Sequence, residues 1–256
     1  MQTTRNLPFF KKPEKSFFHI RVCDLAQSAS CPKRAKIQYK GIAQKYVSGA
    51  MAKGTEMHRE YSVPYKSFDR RVLVYRLMNQ YGRVHKRVLE TDDKIIELAG
   101  VPDDYRVLNH WSSGKLGNHS INLSTDQISS DRKHGMRLVK KTVALIEVKT
   151  TRKKRLWSNE VASAAFQLQL YVWLLRPHLE RFGYEIHNRH YLEMYSQYDG
   201  RLLRRLVVQG LATSTIEGMI SDAIDSFRGL KPMSIPPRHV CKRCPKNIRE
   251  VCDWRR

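Results

Sequence analysis

The residues best suited to chemistry lie in one run, Lys141 to Leu175, which reads KTVALIEVKTT and then RKKRLWSNEVASAAFQLQLYVWLL. Val143 to Val148 is apolar except for Glu147, and Lys149 follows. Residues two apart on a strand share a face and lie about 7 Å apart. Glu147 and Lys149 therefore stand side by side, next to Val143 and Leu145. A carboxylate held beside an apolar strand is costly unless a cation or hydrogen bonds compensate it. A divalent metal ion would compensate it. In the second half, Gln167 and Tyr171 are one helical turn apart and share a face. An acidic strand feeding a helix with a polar stripe suggests a metal-dependent phosphodiesterase site. The same acid–x–base triplet also occurs on solvated edge strands, so the company it keeps decides.

That company includes five cysteines: Cys23 and Cys31 near the start, and Cys241, Cys244 and Cys252 near the end. An odd number without an export signal argues against a disulfide framework. Cys241-x2-Cys244, then seven intervening residues, then Cys252 is a metal-ligand spacing. Three thiolates leave a tetrahedral ion or a cubane one ligand short. Cys31 is the preferred fourth, because Pro32 follows it as Pro245 follows Cys244; Cys23 is otherwise a small buried apolar residue. Spacing alone does not choose between zinc and a four-iron cluster. Either would tie residue 31 to the tail and close a loop of nearly the whole chain, which stabilises.

The elements that must position these groups are legible in outline. Residues 1 to 20 read as a basic lead-in. Cys31-Pro32 opens a basic helix through Tyr39, with Asp24 or Ser30 as caps of short helices. A second helix is expected over residues 42–61, carrying His58, and a third near residues 71–81. VHKRVLET and IIELAG are strands. GVPDDYRVL brings Asp103 and Asp104 into another, with Asp103 favoured as the functional acid. The polar residues 109–140 should join that strand to the Glu147 strand as its neighbour. EIHNRHYLEMYSQ and GRLLRRLVVQ form an antiparallel pair. LATSTIEGMISDAIDSFRGL is a helix with a Ser214–Glu217 capping box, an Ile216, Ile220, Ile224 stripe and Gly229 as its stop. These elements give an α/β fold: one domain over residues 1–256 with a central mixed sheet, flanking helices and a cysteine-clipped subdomain built from residues 20–40 and 231–256.

The 256 residues carry a net charge of +23, a long-range field that attracts polyanions, nucleic acid first among them. The run Arg152, Lys153, Lys154, Arg155 with Trp157 could grip a phosphate backbone and stack a base, or be a solvated charge run. No apolar run reaches a membrane span, and residues 1–15 lack a signal-peptide core. These features lead to the expectation of a cytoplasmic protein with no membrane partner.

The ordered set His58, Asp103, Glu147-x-Lys149, Gln167-x3-Tyr171, one early cysteine and three late ones resembles the RecB-like branch of the PD-(D/E)XK nucleases. Within it, the set is most similar to the CRISPR-associated Cas-four family of iron–sulfur exonucleases. The resemblance covers residues 20–253. It implies Mg²⁺ or Mn²⁺ on His58, Asp103, Glu147 and the Val148 carbonyl, with Lys149 orienting water or stabilising phosphate charge. It implies that Gln167 and Tyr171 help hold the site and the DNA strand. It further implies a [4Fe–4S] cluster on Cys31, Cys241, Cys244 and Cys252. The activity implied is exonucleolytic cleavage of single-stranded DNA ends, in CRISPR spacer acquisition, where a CRISPR integrase complex would be the partner and homo-oligomers can form. DNA repair or viral replication with the same chemistry, and a non-catalytic DNA-binding adaptor, are the alternatives. The gap from Asp103 to Glu147 is long for the family and marks residues 109–140 as an insertion.

Overall fold

The computed structural model describes residues 15–41, 68–113, 136–151, 158–242 and 244–254. The chain opens with β1 (Ser16–Arg21), α1 (Val22–Ala26), a short 3-10 turn and α2 (Pro32–Tyr39). Then come α3 (Phe68–Tyr81), β2 (His85–Glu90), β3 (Lys94–Gly100), β4 (Asp104–Ser113) and β5 (Met136–Thr151). The second half holds α4 (Ser158–Arg181), β6 (Glu185–Ile186), β7 (Arg189–Ser196), β8 (Leu202–Gln209), α5 (Thr213–Arg228), α6 (Arg238–Lys242) and α7 (Lys246–Val251).

The strands form two mixed sheets rather than one central sheet. The smaller has the order β1-β3-β2, with β1 parallel and β2 antiparallel to β3. The larger has the order β4-β5-β7-β8, with β6 beside β5; β4 and β5 are antiparallel, β5 and β7 parallel, β7 and β8 antiparallel. The strand β1 lies within the stretch expected as a lead-in. Its signal was alternation: Phe18 and Ile20 turn inward to the core while Phe17, His19 and Arg21 stay exposed or partly so. The polar stretch does join neighbours, since β4 pairs with β5 from Asp104↔Ile146 to Ser113↔Met136. The ends of that stretch are strand, and residues 114–135 lie outside the described part.

One core joins the sheets through α4. Ile20 and Leu98 of the small sheet, Val143 and Leu145 of the large one, and Leu170 and Trp173 of α4 belong to one buried cluster. Every residue from Leu168 to Leu175 is buried, so this helix is enclosed on all sides and can be apolar all round. Its buried polar member, Gln169, donates to Gln209 O at 2.7 Å and accepts from Leu211 N at 3.0 Å. Ile216, Ile220 and Ile224 are fully buried along α5, and Gly229 ends that helix at φ 85°, a conformation only glycine adopts freely. The Ser214–Glu217 capping box is not formed. Ala212 occupies the N-cap without a side-chain bond, and Glu217 instead accepts from Trp173 Nε1 at 2.8 Å. Burying the indole requires a partner for its N–H, and that need takes the carboxylate. At the start of α2 the cap is Cys31, not Ser30, and Asp24 sits inside α1, paired with Arg21.

Candidate nuclease site and cysteine cavity

Glu147 and Lys149 point to the same side of β5 as Val143 and Leu145, as the strand period requires. Glu147 is 1% exposed. One of its oxygens accepts from the Lys149 ammonium. Its Oε2 is buried without a hydrogen-bond partner among the described residues. Asp103 lies one residue before β4, just past the last β4–β5 pair, and there its Oδ2 accepts from Val148 N at 2.8 Å. The side chain thus takes over the pairing role that the departing strand gives up. Val148, whose carbonyl was expected as a ligand, is fixed through this N–H.

Burial pushes the Glu147 carboxyl up to about 8, the neighbouring Asp103 charge adds to the shift, and Lys149 opposes it. For Lys149, burial acts against the ammonium, but the charges of Glu147 and Asp103 outweigh it and raise its pKa. Lys149 Nζ also reaches Gln167 Oε1 at 3.4 Å; Gln167 Nε2 lies 3.5 Å from the Tyr171 hydroxyl, which donates to Val101 O at 2.8 Å. Burial, then the nearby carboxylates, hold the Tyr171 phenol protonated. Asp103, Glu147, Lys149, Gln167 and Tyr171 are therefore one connected site.

Asp104 is not part of it. It opens β4 on the opposite face, 2% exposed, where Arg70 Nε donates to it at 2.5 Å. His58 and Arg152, Lys153, Lys154 and Arg155 lie outside the described residues. Cys23, expected as a buried apolar residue, is exposed. It is the second residue of α1, near Lys149 and Tyr171. Two contributors carried no sequence signal beyond spacing. The Val101 carbonyl holds Tyr171. Gly100 leaves room for it, since a Cβ there would lie 2.8 Å from Tyr171 Cε1 and 2.7 Å from Val22 Cγ2.

A second feature lies at the ends of the chain. Cys31, Cys241, Cys244 and Cys252 line one cavity of about 480 Å³, with Arg34, Val240, Ile248 and Trp254 among the other walls. Cys31 caps α2, its sulfur accepting from Arg34 N at 3.4 Å. Burial raises the Cys31 thiol pKa; the Arg34 amide opposes this, and Cys241 and Cys252 add to it. Burial likewise raises Cys244, with Arg34 opposing and the other three cysteines adding. The tail is also held to α2 by Lys33, which pairs with Asp253 at 2.8 Å and lies 5.8 Å over the Trp254 ring.

No family model and no curated protein matches the chain. A crystal structure of SSO0001 is similar over 95% of this chain and 90% of its own length, at 18% identity and a TM-score of 0.49. Likeness at that level assigns no function.

The donor sets fit the expected groups in kind. At the carboxylate site, Glu147 Oε2 has no hydrogen-bond donor among the described residues and lies near Asp103, a pair of acids that would suit Mg²⁺ or Mn²⁺ once Glu147 is ionised. In the cavity, four thiols suit a soft metal or an iron–sulfur cluster. Among the described residues, no three His, Cys, Asp or Glu side chains are drawn together around a single-ion position. Also among these residues, no helix is long and apolar enough to cross a membrane.

Proposed function

We propose that this chain is a metal-dependent DNA exonuclease with a RecB-like PD-(D/E)XK core, similar to the Cas-four family, acting on single-stranded ends in spacer acquisition. The observation that carries the reading is the buried Glu147 carboxylate with one oxygen unpartnered, flanked by Asp103 and an ammonium. Two acids side by side, one of them buried with an oxygen lacking a donor, favour a shared cation, because a buried acceptor left unsatisfied costs about 1–3 kcal/mol.

Phosphodiester hydrolysis needs an activated water and relief of the charge that gathers on phosphorus. Asp103 and Glu147 would hold a hard cation, with His58 and the Val148 carbonyl added by the family resemblance, and that cation would supply an acidified water and part of that relief. Lys149 supplies the rest. Its ammonium is fixed between Glu147 and Gln167 and so presents a preorganised positive charge that needs no rearrangement during reaction. Tyr171, anchored on Val101, keeps Gln167 in place. The net charge of +23 attracts DNA, and the basic sequence run Arg152, Lys153, Lys154 and Arg155, outside the described residues, is assigned to the phosphate backbone under this reading.

For the cysteine cavity the reading is a [4Fe–4S] cluster rather than Zn²⁺. Four thiols on one cavity suit either group, and the choice of the cluster rests on the family resemblance, with Zn²⁺ as the alternative. The cluster is a structural clip that joins residues 20–40 to 231–256.

The test is cleavage of single-stranded DNA labelled at either end, with Mn²⁺ or Mg²⁺, by wild type, Glu147→Ala and Lys149→Ala, with binding measured in parallel. Metal-dependent cleavage lost in both variants while binding persists supports the nuclease, and the labels give its polarity. Tight binding without cleavage by the cluster-loaded wild type overturns it in favour of a DNA-binding adaptor.

A further inference from the structure

The cysteine cavity contains a cation that the nuclease reading leaves unused. Arg34 lines it beside Cys31, Cys241, Cys244 and Cys252. Its amide is already spent on the Cys31 cap. Its side-chain Nε is buried and has no acceptor among the described residues. A buried N–H in this condition calls for an acceptor, and the cavity it lines is walled by sulfur. Three other basic residues line the same cavity, Lys242, Lys246 and Arg249, but all three are exposed, and solvent and salt screen such charges.

We propose that Arg34 donates its Nε–H to a sulfur of the cluster bound in this cavity and offsets part of its negative charge, so that this residue sets the cluster's reduction potential. The inference rests on the iron–sulfur reading above. Cluster potentials follow net charge, hydrogen bonds to sulfur and solvent exposure, and Arg34 supplies the first two from a sheltered position. Adding an electron makes a thiolate-ligated cluster more anionic, so a fixed cation beside it favours the reduced form. Lysine is no equivalent, because it brings the charge as a mobile point without the planar donor fork.

The experiment is a dithionite titration of the anaerobically purified full chain, followed by visible absorbance and electron paramagnetic resonance. Wild type, Arg34→Met, Arg34→Lys and the exposed control Lys246→Met are compared at equal iron content. Arg34→Met is expected to shift the reduction equilibrium about tenfold towards the oxidised form, which is about 59 mV to more negative potential for one electron. Arg34→Lys gives a smaller shift of the same sign, and it carries the test alone if Arg34→Met fails to assemble. Lys246→Met stays at the wild-type value. Unchanged potentials in iron-loaded Arg34 variants overturn this inference and leave the cluster reading standing. A wild type that holds zinc alone, or no metal, overturns the cluster reading, and the inference falls with it.

Discussion

Glu147 must lose a proton before it can hold a cation. In the metal-free chain, burial and Asp103 keep its carboxyl protonated up to about pH 8. Below that pH, each metal ion bound displaces one proton, so affinity should rise about tenfold per pH unit. At pH 6 the deprotonated fraction is about 1 in 100, and at pH 8 about 1 in 2, so Mn²⁺ affinity should strengthen about fiftyfold between them. Above pH 9 it should level off. Calorimetric titration with Mn²⁺ in two buffers of different ionisation enthalpy reads both the affinity and the proton released. Lys149→Met removes the ammonium that opposes the shift, and its curve should move to higher pH. A wild-type affinity that is flat from pH 6 to 9, with no proton released, would refute the assigned coupling of Glu147 to the metal.

Four further outcomes follow from the same structure. The metal-free stability should fall between about pH 4.5 and 8. A buried acid with a raised pKa stabilises below its ordinary range and loses that stability as pH climbs to about 8; urea unfolding of Glu147→Gln should show no such fall. Gly100→Ala would drive a Cβ against Val22 and Tyr171, costing about 1–3 kcal/mol and lowering nuclease turnover more than the milder Tyr171→Phe. His190 is fully buried, its pKa lowered to about 4 by burial, and its Nδ1 accepts from Leu145 N at 3.2 Å. His190→Ala orphans that amide on the site strand and should cost about 1–3 kcal/mol by urea denaturation. Cys252→Ser should release the bound metal and lower the melting temperature, with iron and zinc content measured alongside.

The parts that were legible in the sequence are those where one local rule suffices. The period of two along β5 placed Glu147 and Lys149 together, and the helical turn between Gln167 and Tyr171 brought those two into contact. The hairpin of β7 and β8 and the isoleucine stripe of α5 followed from pattern alone. Features set by tertiary competition were not legible. Glu217 forms a helix-capping signal with Ser214, yet the buried Trp173 claims it. The sequence favours Asp103 of the Asp103–Asp104 pair, but the partners were not legible: the start of β4 sends one to Val148 and the other to Arg70. Two sheets in place of one could not be read either, because strand pairing partners depend on crossings that span the chain. Gly100 shows the limit most plainly, since its role is the absence of an atom next to residues far off in sequence.

Val22 and Cys31 are nine positions apart. Val22 packs where Gly100 and Tyr171 meet at the carboxylate site, while Cys31 caps α2 at the thiol cavity. The intervening α1 is fixed to the central helix, where Ser163 Oγ donates to Ala26 O at 3.1 Å. One short strip of backbone is thus a wall of both sites. Under the proposed function, emptying the thiol cavity would loosen the strip that also walls the carboxylate site, so loss of the cluster should be read out as loss of cleavage.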